Sequence, residues 1–179
     1  MKRMLERITK ETFDDIYPIF EEAFPVEELR EKERQKSLLD KTQYRLYGIK
    51  NESEYGVLQG AVAMWDFNDF IYIEHFAIKP IHRNGGFGGK KLKEMIAWVG
   101  RPVVLEVEVP TDEMTKRRVG FYERHGFFFN DYPYLQPPMR VGQKMLPLRL
   151  MTIPEKISKE VYERYKRTIH KIVYNFEEE

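Results

Sequence analysis

Ile78-Lys79-Pro80-Ile81-His82-Arg83-Asn84-Gly85-Gly86-Phe87-Gly88-Gly89-Lys90 crowds four glycines into five positions between an apolar strand and an amphipathic helix. A helix N-terminus leaves its first backbone N–H groups unpaired and carries the positive end of the macrodipole. Glycines there let a ligand approach the main chain, so the turn suits an anion, most often a phosphate. The glycines alone also suit a plain flexible loop. Two familiar phosphate loops are excluded by spacing. The pattern G-x-G-x-x-G would start at Gly86 and needs glycine where Lys91 stands. The pattern G-x-x-x-x-G-K-[ST] needs glycine at Asn84 and a hydroxyl at Lys91. What remains is Arg83-Asn84-Gly85-Gly86-Phe87-Gly88, an R-x-x-G-x-G turn.

Working outward, the helix after the turn carries Leu92, Met95, Ile96 and Val99 on one face and stops at Gly100. Before it, three strands form a meander: Tyr44–Ile49, Gly56–Asp66 and Phe70–Ile78. Turn residues at Asn51–Glu54 and Asn68-Asp69 separate them. A first strand spans Met4–Ile8. A helix then carries Phe13, Ile16, Ile19 and Phe20, with Pro18 inside its stripe, and stops near Phe24-Pro25. A very charged helix over Pro25–Leu39 presents a solvated face. Downstream come a strand at Val103–Val109, a helix at Glu113–His125 and strands at Phe127–Tyr132 and Lys144–Thr152. The aromatic, proline-rich Tyr132–Pro138 joins those two strands. Ile157, Val161, Tyr165, Ile169 and Ile172 or Val173 mark a C-terminal helix.

A second block, Gly120-Phe121-Tyr122-Glu123-Arg124-His125-Gly126-Phe127, follows the glycine turn after one strand. With both blocks in this order, the chain resembles the GNAT superfamily of acyl-CoA-dependent N-acetyltransferases over roughly Met4 to Ile153. The resemblance implies an α/β (α+β) chain with the GNAT fold. That is a mixed central sheet flanked by helices, here with a C-terminal helical extension. It divides the chain into an acetyltransferase domain, 1–153, and an amphipathic helix, 154–179, packed on that domain or on a partner subunit. It also implies acetyl-CoA as cosubstrate, held by Phe76, Ala77, Ile78, Arg83, Asn84, Gly85, Gly86, Phe87, Gly88, Gly89, Lys90 and Phe121. Amides at the strand end Phe76-Ala77-Ile78 would stabilise the oxyanion. Many members carry an asparagine after the fifth strand, whereas this chain reads Pro110-Thr111-Asp112-Glu113-Met114-Thr115 there.

Amide formation from a thioester and an amine needs an acid for the thiolate and a base for the ammonium. Tyr122 matches the family's acid, and an ordinary phenol, with pKa about 10, stays protonated at neutral pH. On its own, a tyrosine beside phenylalanine on a helix is more often a core aromatic. For the base, Glu106 and Glu108 share one face of an otherwise apolar strand, and Leu105-Glu106-Val107 resembles the family's L-E-V. Glu74, on a face with Tyr72, Phe76 and Ile78, is a further candidate, as base or as a charge that attracts the amine. The alternative is that one or more of these acids pairs with Arg117, Arg118 or Arg124. His75 offers a further base on the same strand, but its side chain should point opposite Glu74, as a core histidine.

Composition narrows the classes. The 179 residues carry a net charge of +1, which gives no electrostatic case for nucleic acid or an anionic membrane. Cysteine is absent, which excludes a thiol nucleophile and fits a reducing compartment. The four histidines lack ligand spacing, so no metal is expected. Neither a signal peptide nor a membrane span is legible, which points to a cytoplasmic protein. The expected function is acetyl transfer from acetyl-CoA to a primary amine, on a small molecule or a peptide, by direct attack. The alternative is a non-catalytic acyl-CoA-binding sensor or interaction module. The C-terminal stripe leaves room for a homodimer.

Overall fold

Alternating apolar residues over 44–78 build three antiparallel strands, β2 (Tyr44–Lys50), β3 (Leu58–Phe67) and β4 (Phe70–Ile78), with β1 (Leu5–Arg7) paired outside β2. The computed structural model describes residues 5–50 and 56–177. The expected turn at Asn51–Glu54 and the Met4 end of the first strand lie outside them. Contacts divide the chain into two units, Met1–Arg101 and Pro102–Glu179.

In the first unit the helical segments depart from expectation. The stripe from Phe13 to Phe20 is a 3-10 turn, Phe13–Asp15, followed by α1, Tyr17–Ala23. Pro18 therefore sits at the start of a helix, where its missing N–H costs nothing. The chain leaves α1 in extended geometry at Phe24, as a residue before proline prefers. The long charged helix expected over Pro25–Leu39 is replaced by two 3-10 turns, Val26–Glu28 and Leu38–Asp40, around a six-residue α2, Lys32–Ser37. The cause is tertiary. Leu29 and Arg30 are buried, and the Tyr17 hydroxyl donates to the Arg30 carbonyl at 2.7 Å. That draws Leu29 into extended backbone. The face is also not all solvated, since Gln35 is fully buried and donates to the Tyr44 hydroxyl at 2.7 Å. The β3–β4 core holds Trp65, Tyr72, Phe70 and Met64. The glycine turn leads from β4 into α3 (Phe87–Val99), which ends on left-handed Gly100.

The second unit is an antiparallel set in which β7 (Leu146–Ile153) lies between β5 (Val103–Glu108) and β6 (Phe128–Gln136). Here β6 runs on through the proline-rich stretch expected to be a loop. Its register slips between Asn130 and Tyr134, so Pro133, which has no N–H to give, sits at an irregularity of the ladder. Helix α4 (Glu113–Arg124) starts with a capping box: Asp112 accepts from the Thr115 N–H at 2.8 Å, and the Thr115 hydroxyl accepts from the Asp112 N–H at 3.1 Å. Helix α5 (Lys159–Val173) is capped by Ser158 and buries Tyr162, Tyr165, Ile169, His170 and Val173. Its Tyr162 hydroxyl donates to the Pro133 carbonyl of β6 at 2.7 Å. The C-terminal helix thus packs on β6 of its own chain.

Candidate active site

The first unit carries the glycine turn from which anion binding is expected. Gly85 and Gly86 take φ of 81° and 78°, left-handed values that burden any side chain with about 1–2 kcal/mol of strain. They swing the chain so that α3 opens at Phe87 with no side chain capping its first amides. A Cβ at Gly88 would stand 3.2 Å from Ile78 Cγ1, so α3 starts tight against the end of β4. The Arg83 Nε donates to the Ile78 carbonyl at 2.8 Å, which ties the turn to the strand. Asn84, Gly85, Gly86 and Lys90 are exposed, Phe87 and Gly88 half-buried and Gly89 buried. Phe76, Ala77 and Ile78 pair with Val62, Ala61 and Gly60 of β3. At Gly60 a Cβ would lie 2.4 Å from the Ala77 carbonyl oxygen, so only glycine lets β3 approach β4 there.

Upstream on β4 the alternation fails. Ala63 pairs with His75 but Met64 pairs with Ile73, which leaves Glu74 as an extra residue. The expectation that His75 and Glu74 point to opposite faces is therefore overturned: His75 Nδ1 lies 3.6 Å from Glu74 Oε2, with both side chains buried. His75 Nε2 donates to the Glu28 carbonyl at 2.7 Å. The other carboxylate oxygen of Glu74 takes a hydrogen bond from the buried Arg30 guanidinium. Burial pushes the Glu74 carboxyl up, but the Arg30 charge, the neighbouring His75 and hydrogen bonds from Arg30 and Gln35 together outweigh it and leave it below the usual range. Burial pulls the His75 imidazole down, so it stays neutral at neutral pH. Glu74 belongs to a sealed ion pair, and its partner Arg30 was missed because it sits in what reads as a solvated helix.

The second unit carries the other candidates. Glu106 on β5 accepts from the Tyr134 hydroxyl of β6 and, at 2.9 Å to Oε2, from the Tyr174 hydroxyl just past α5. Neither tyrosine was singled out in the sequence. Only the strongly aromatic Tyr132–Gln136 stretch and a tyrosine one turn after His170 hinted at them. Burial, reinforced by the Glu106 charge, holds the Tyr134 phenol well above its ordinary value, so it remains a neutral donor. Glu108 pairs with Arg118 of α4, one of the three arginines weighed for such a role. Tyr122 is half-buried on α4, its ring 5.6 Å from Phe127 and 5.3 Å from Phe121. Phe121 packs on His125 at 4.5 Å, and His125 Nδ1 donates to the Phe121 carbonyl at 2.6 Å.

Residues 10–127 match the Acetyltransferase (GNAT) family. The chain belongs to that family. It is 34% identical over 117 residues to a Bacillus subtilis (strain 168) protein described as "Putative acetyltransferase YjbC", a match over 62% of this chain and 55% of that protein. The chain thus spans about half the length of this curated relative. A solved structure described as "Putative acetyltransferase from GNAT family" from Bacteroides thetaiotaomicron shares 36% identity, with a TM-score of 0.90 over 97% of this chain and 99% of the other. A spermidine N-acetyltransferase SpeG mutant from Vibrio cholerae matches at TM-score 0.62 and 14% identity, over 83% of this chain and 93% of that one, a likeness of fold alone. The fold is the GNAT fold expected from the two motif blocks. Among the described residues no group of His, Cys, Asp or Glu is placed to hold a metal, and no helix is long and apolar enough to cross a membrane.

Proposed function

We propose that this chain transfers an acetyl group from acetyl-CoA to a primary amine by direct attack within a ternary complex. The observation that carries this reading is the pair of left-handed glycines opening an uncapped helix. That geometry presents unpaired N–H groups and the positive helix end to an anion such as a pyrophosphate. In the reaction the amine nitrogen bonds to the thioester carbonyl carbon and the carbon–sulfur bond breaks. Glu106 takes the proton the ammonium loses before attack, and Tyr122 gives its proton to the departing sulfur. The second proton, shed by the nitrogen once it is bonded to the carbonyl carbon, restores the Tyr122 phenol by way of solvent. Glu74, locked to Arg30, serves instead to hold β4 against the segment before α2. This chain has no cysteine, so no acyl-cysteine stage intervenes. Positioning supplies much of the remaining acceleration.

The acceptor is an amine on a small molecule or a peptide. Polyamines join the screening panel because the distant fold neighbours act on spermidine. The first test is thermal unfolding with and without acetyl-CoA. Ligand at about 100 times its dissociation constant adds about 2.7 kcal/mol, which at this size is a rise of roughly 5–10 °C. No rise at millimolar acetyl-CoA rejects the reading. Given a rise, amines are screened by release of free coenzyme A. Tyr122→Phe should then lose turnover roughly 100-fold while keeping coenzyme binding. A sensor would show binding with no turnover to lose.

A further inference from the structure

We infer that Tyr174, in the C-terminal extension, is a positioning residue that fixes the Glu106 carboxylate in the orientation its work as base requires. The inference rests on the reading of Glu106 as that base. It follows from how α5 is seated. The Tyr162 bond to the Pro133 carbonyl anchors the helix on β6. Two turns later the His170 ring packs 5.3 Å from the Tyr134 ring. Tyr174 falls four residues after His170, on the same helical face, and its hydroxyl reaches both oxygens of Glu106, at 2.9 and 3.2 Å. Tyr134 grips Oε1 from β6. Two elements therefore meet on one carboxylate.

The chemistry of the grip is specific. The last torsion of a glutamate is broad, so a carboxylate held at one oxygen still swings. Donors at both oxygens remove that freedom. A phenol does so without a full positive charge, unlike the Arg30 guanidinium on Glu74, so it lowers the carboxylate's proton affinity less than a guanidinium does. Among the described residues, the titratable groups packed about this carboxylate include Tyr134 and Tyr174, with Tyr162 near Tyr134 and the buried His170 ring 5.3 and 6.3 Å from the Tyr134 and Tyr174 rings. The 26-residue stretch beyond the domain that resembles the family thereby becomes part of the catalytic apparatus, because residue 174 reaches back 68 positions to residue 106.

The test compares the full-length protein with Tyr174→Phe, which keeps the ring and removes only the hydroxyl. Glutamate is labelled with 13C at its carboxyl carbon, and the Glu106 signal is assigned by its loss in Glu106→Gln. Removing a donor to the charged form should move the titration midpoint of that signal upward by about one pH unit, with the thermal midpoint nearly unchanged. Using the amine selected by the coenzyme A release screen, kcat should fall roughly tenfold with KM for acetyl-CoA unchanged, and the acid limb of the rate profile should follow the NMR shift. Tyr134→Phe should give the same pair of changes. A Glu106 titration identical in wild type and Tyr174→Phe overturns the inference, as does a displaced titration with kcat and rate profile intact. If Glu106→Gln turns over at the wild-type rate, the base assignment fails. That failure is distinguished by the NMR comparison, which reads the contact without any substrate.

Discussion

Glu74 and Glu106 are both glutamates on sheet strands beside apolar neighbours, and they are held in opposite ways. Glu74 is sealed from solvent and faces the Arg30 guanidinium, a permanent positive charge. Glu106 is half-buried and held by two phenols. A cation stabilises a buried anion so strongly that the carboxylate can hardly take up a proton. Neutral donors orient a carboxylate and lower its proton affinity less than a full cation does. The difference teaches that burial of an acid in an apolar strand does not by itself identify a base. On the proposed reading, the charge of the partner separates the structural acid from the base.

The strongest way to break this comparison is Glu106→Gln, which keeps shape and hydrogen-bond capacity but removes the basic oxygen. Turnover should drop about 10²–10⁴-fold, with acetyl-CoA still raising the unfolding temperature. Near-normal turnover would return Glu106 to a structural role. The matching experiment on Glu74 reads stability. Arg30→Met strands a buried carboxylate and should cost about 3–5 kcal/mol, or roughly 10 °C in thermal midpoint. Adding Glu74→Gln should restore most of the loss. If the double variant is no more stable than the single one, the ion pair is not what Arg30 contributes.

A smaller effect sharpens the contrast through pH. Both Glu74 and His75 have folded-state values below their ordinary ones, 4.5 and 6.5. In each case the unfolded chain binds the proton first, so their stabilisation is complete above the ordinary value and is lost as pH falls. His75 acts first. Stability should be level above about pH 6.5 and decline below it, approaching about 1.4 kcal/mol per pH unit, before Glu74 adds a steeper loss below about pH 4.5. His75→Gln should flatten the first decline, and an unchanged slope between pH 6.5 and 5 would argue against a neutral buried imidazole. The smallest effect belongs to the third acid. The Glu108–Arg118 pair is about a third exposed on both sides, so Arg118→Met should change stability by under about 1 kcal/mol. A drop comparable to that of Arg30→Met would erase the distinction between exposed and sealed pairs.

Much of this was legible in order along the chain. The glycine turn, the stripe of α3 and the strands of the 44–78 meander depend on local rules: which residues tolerate left-handed backbone, and periods of 3.6 and 2. The register slip at Glu74 was not legible, because two-residue alternation assumes an unbroken ladder and nothing in Ile73-Glu74-His75 announces an extra residue. Nor was the break-up of the Pro25–Leu39 helix, where intrinsic preference favoured a helix and buried contacts at Leu29 and Arg30 prevailed.

The amino-acid sequence by itself determined the family, the glycine turn and the short list of candidate acids, since each is written in neighbouring residues whose chemistry is local. Only the tertiary structure decided which carboxylate met a guanidinium and which met phenols. Arg30 lies 44 positions from Glu74, and Tyr174 lies 68 from Glu106. Partners so far apart are chosen by strand register and by the seating of helices on sheets. Those arise from the sum of many packing contacts and are carried by no single stretch of sequence.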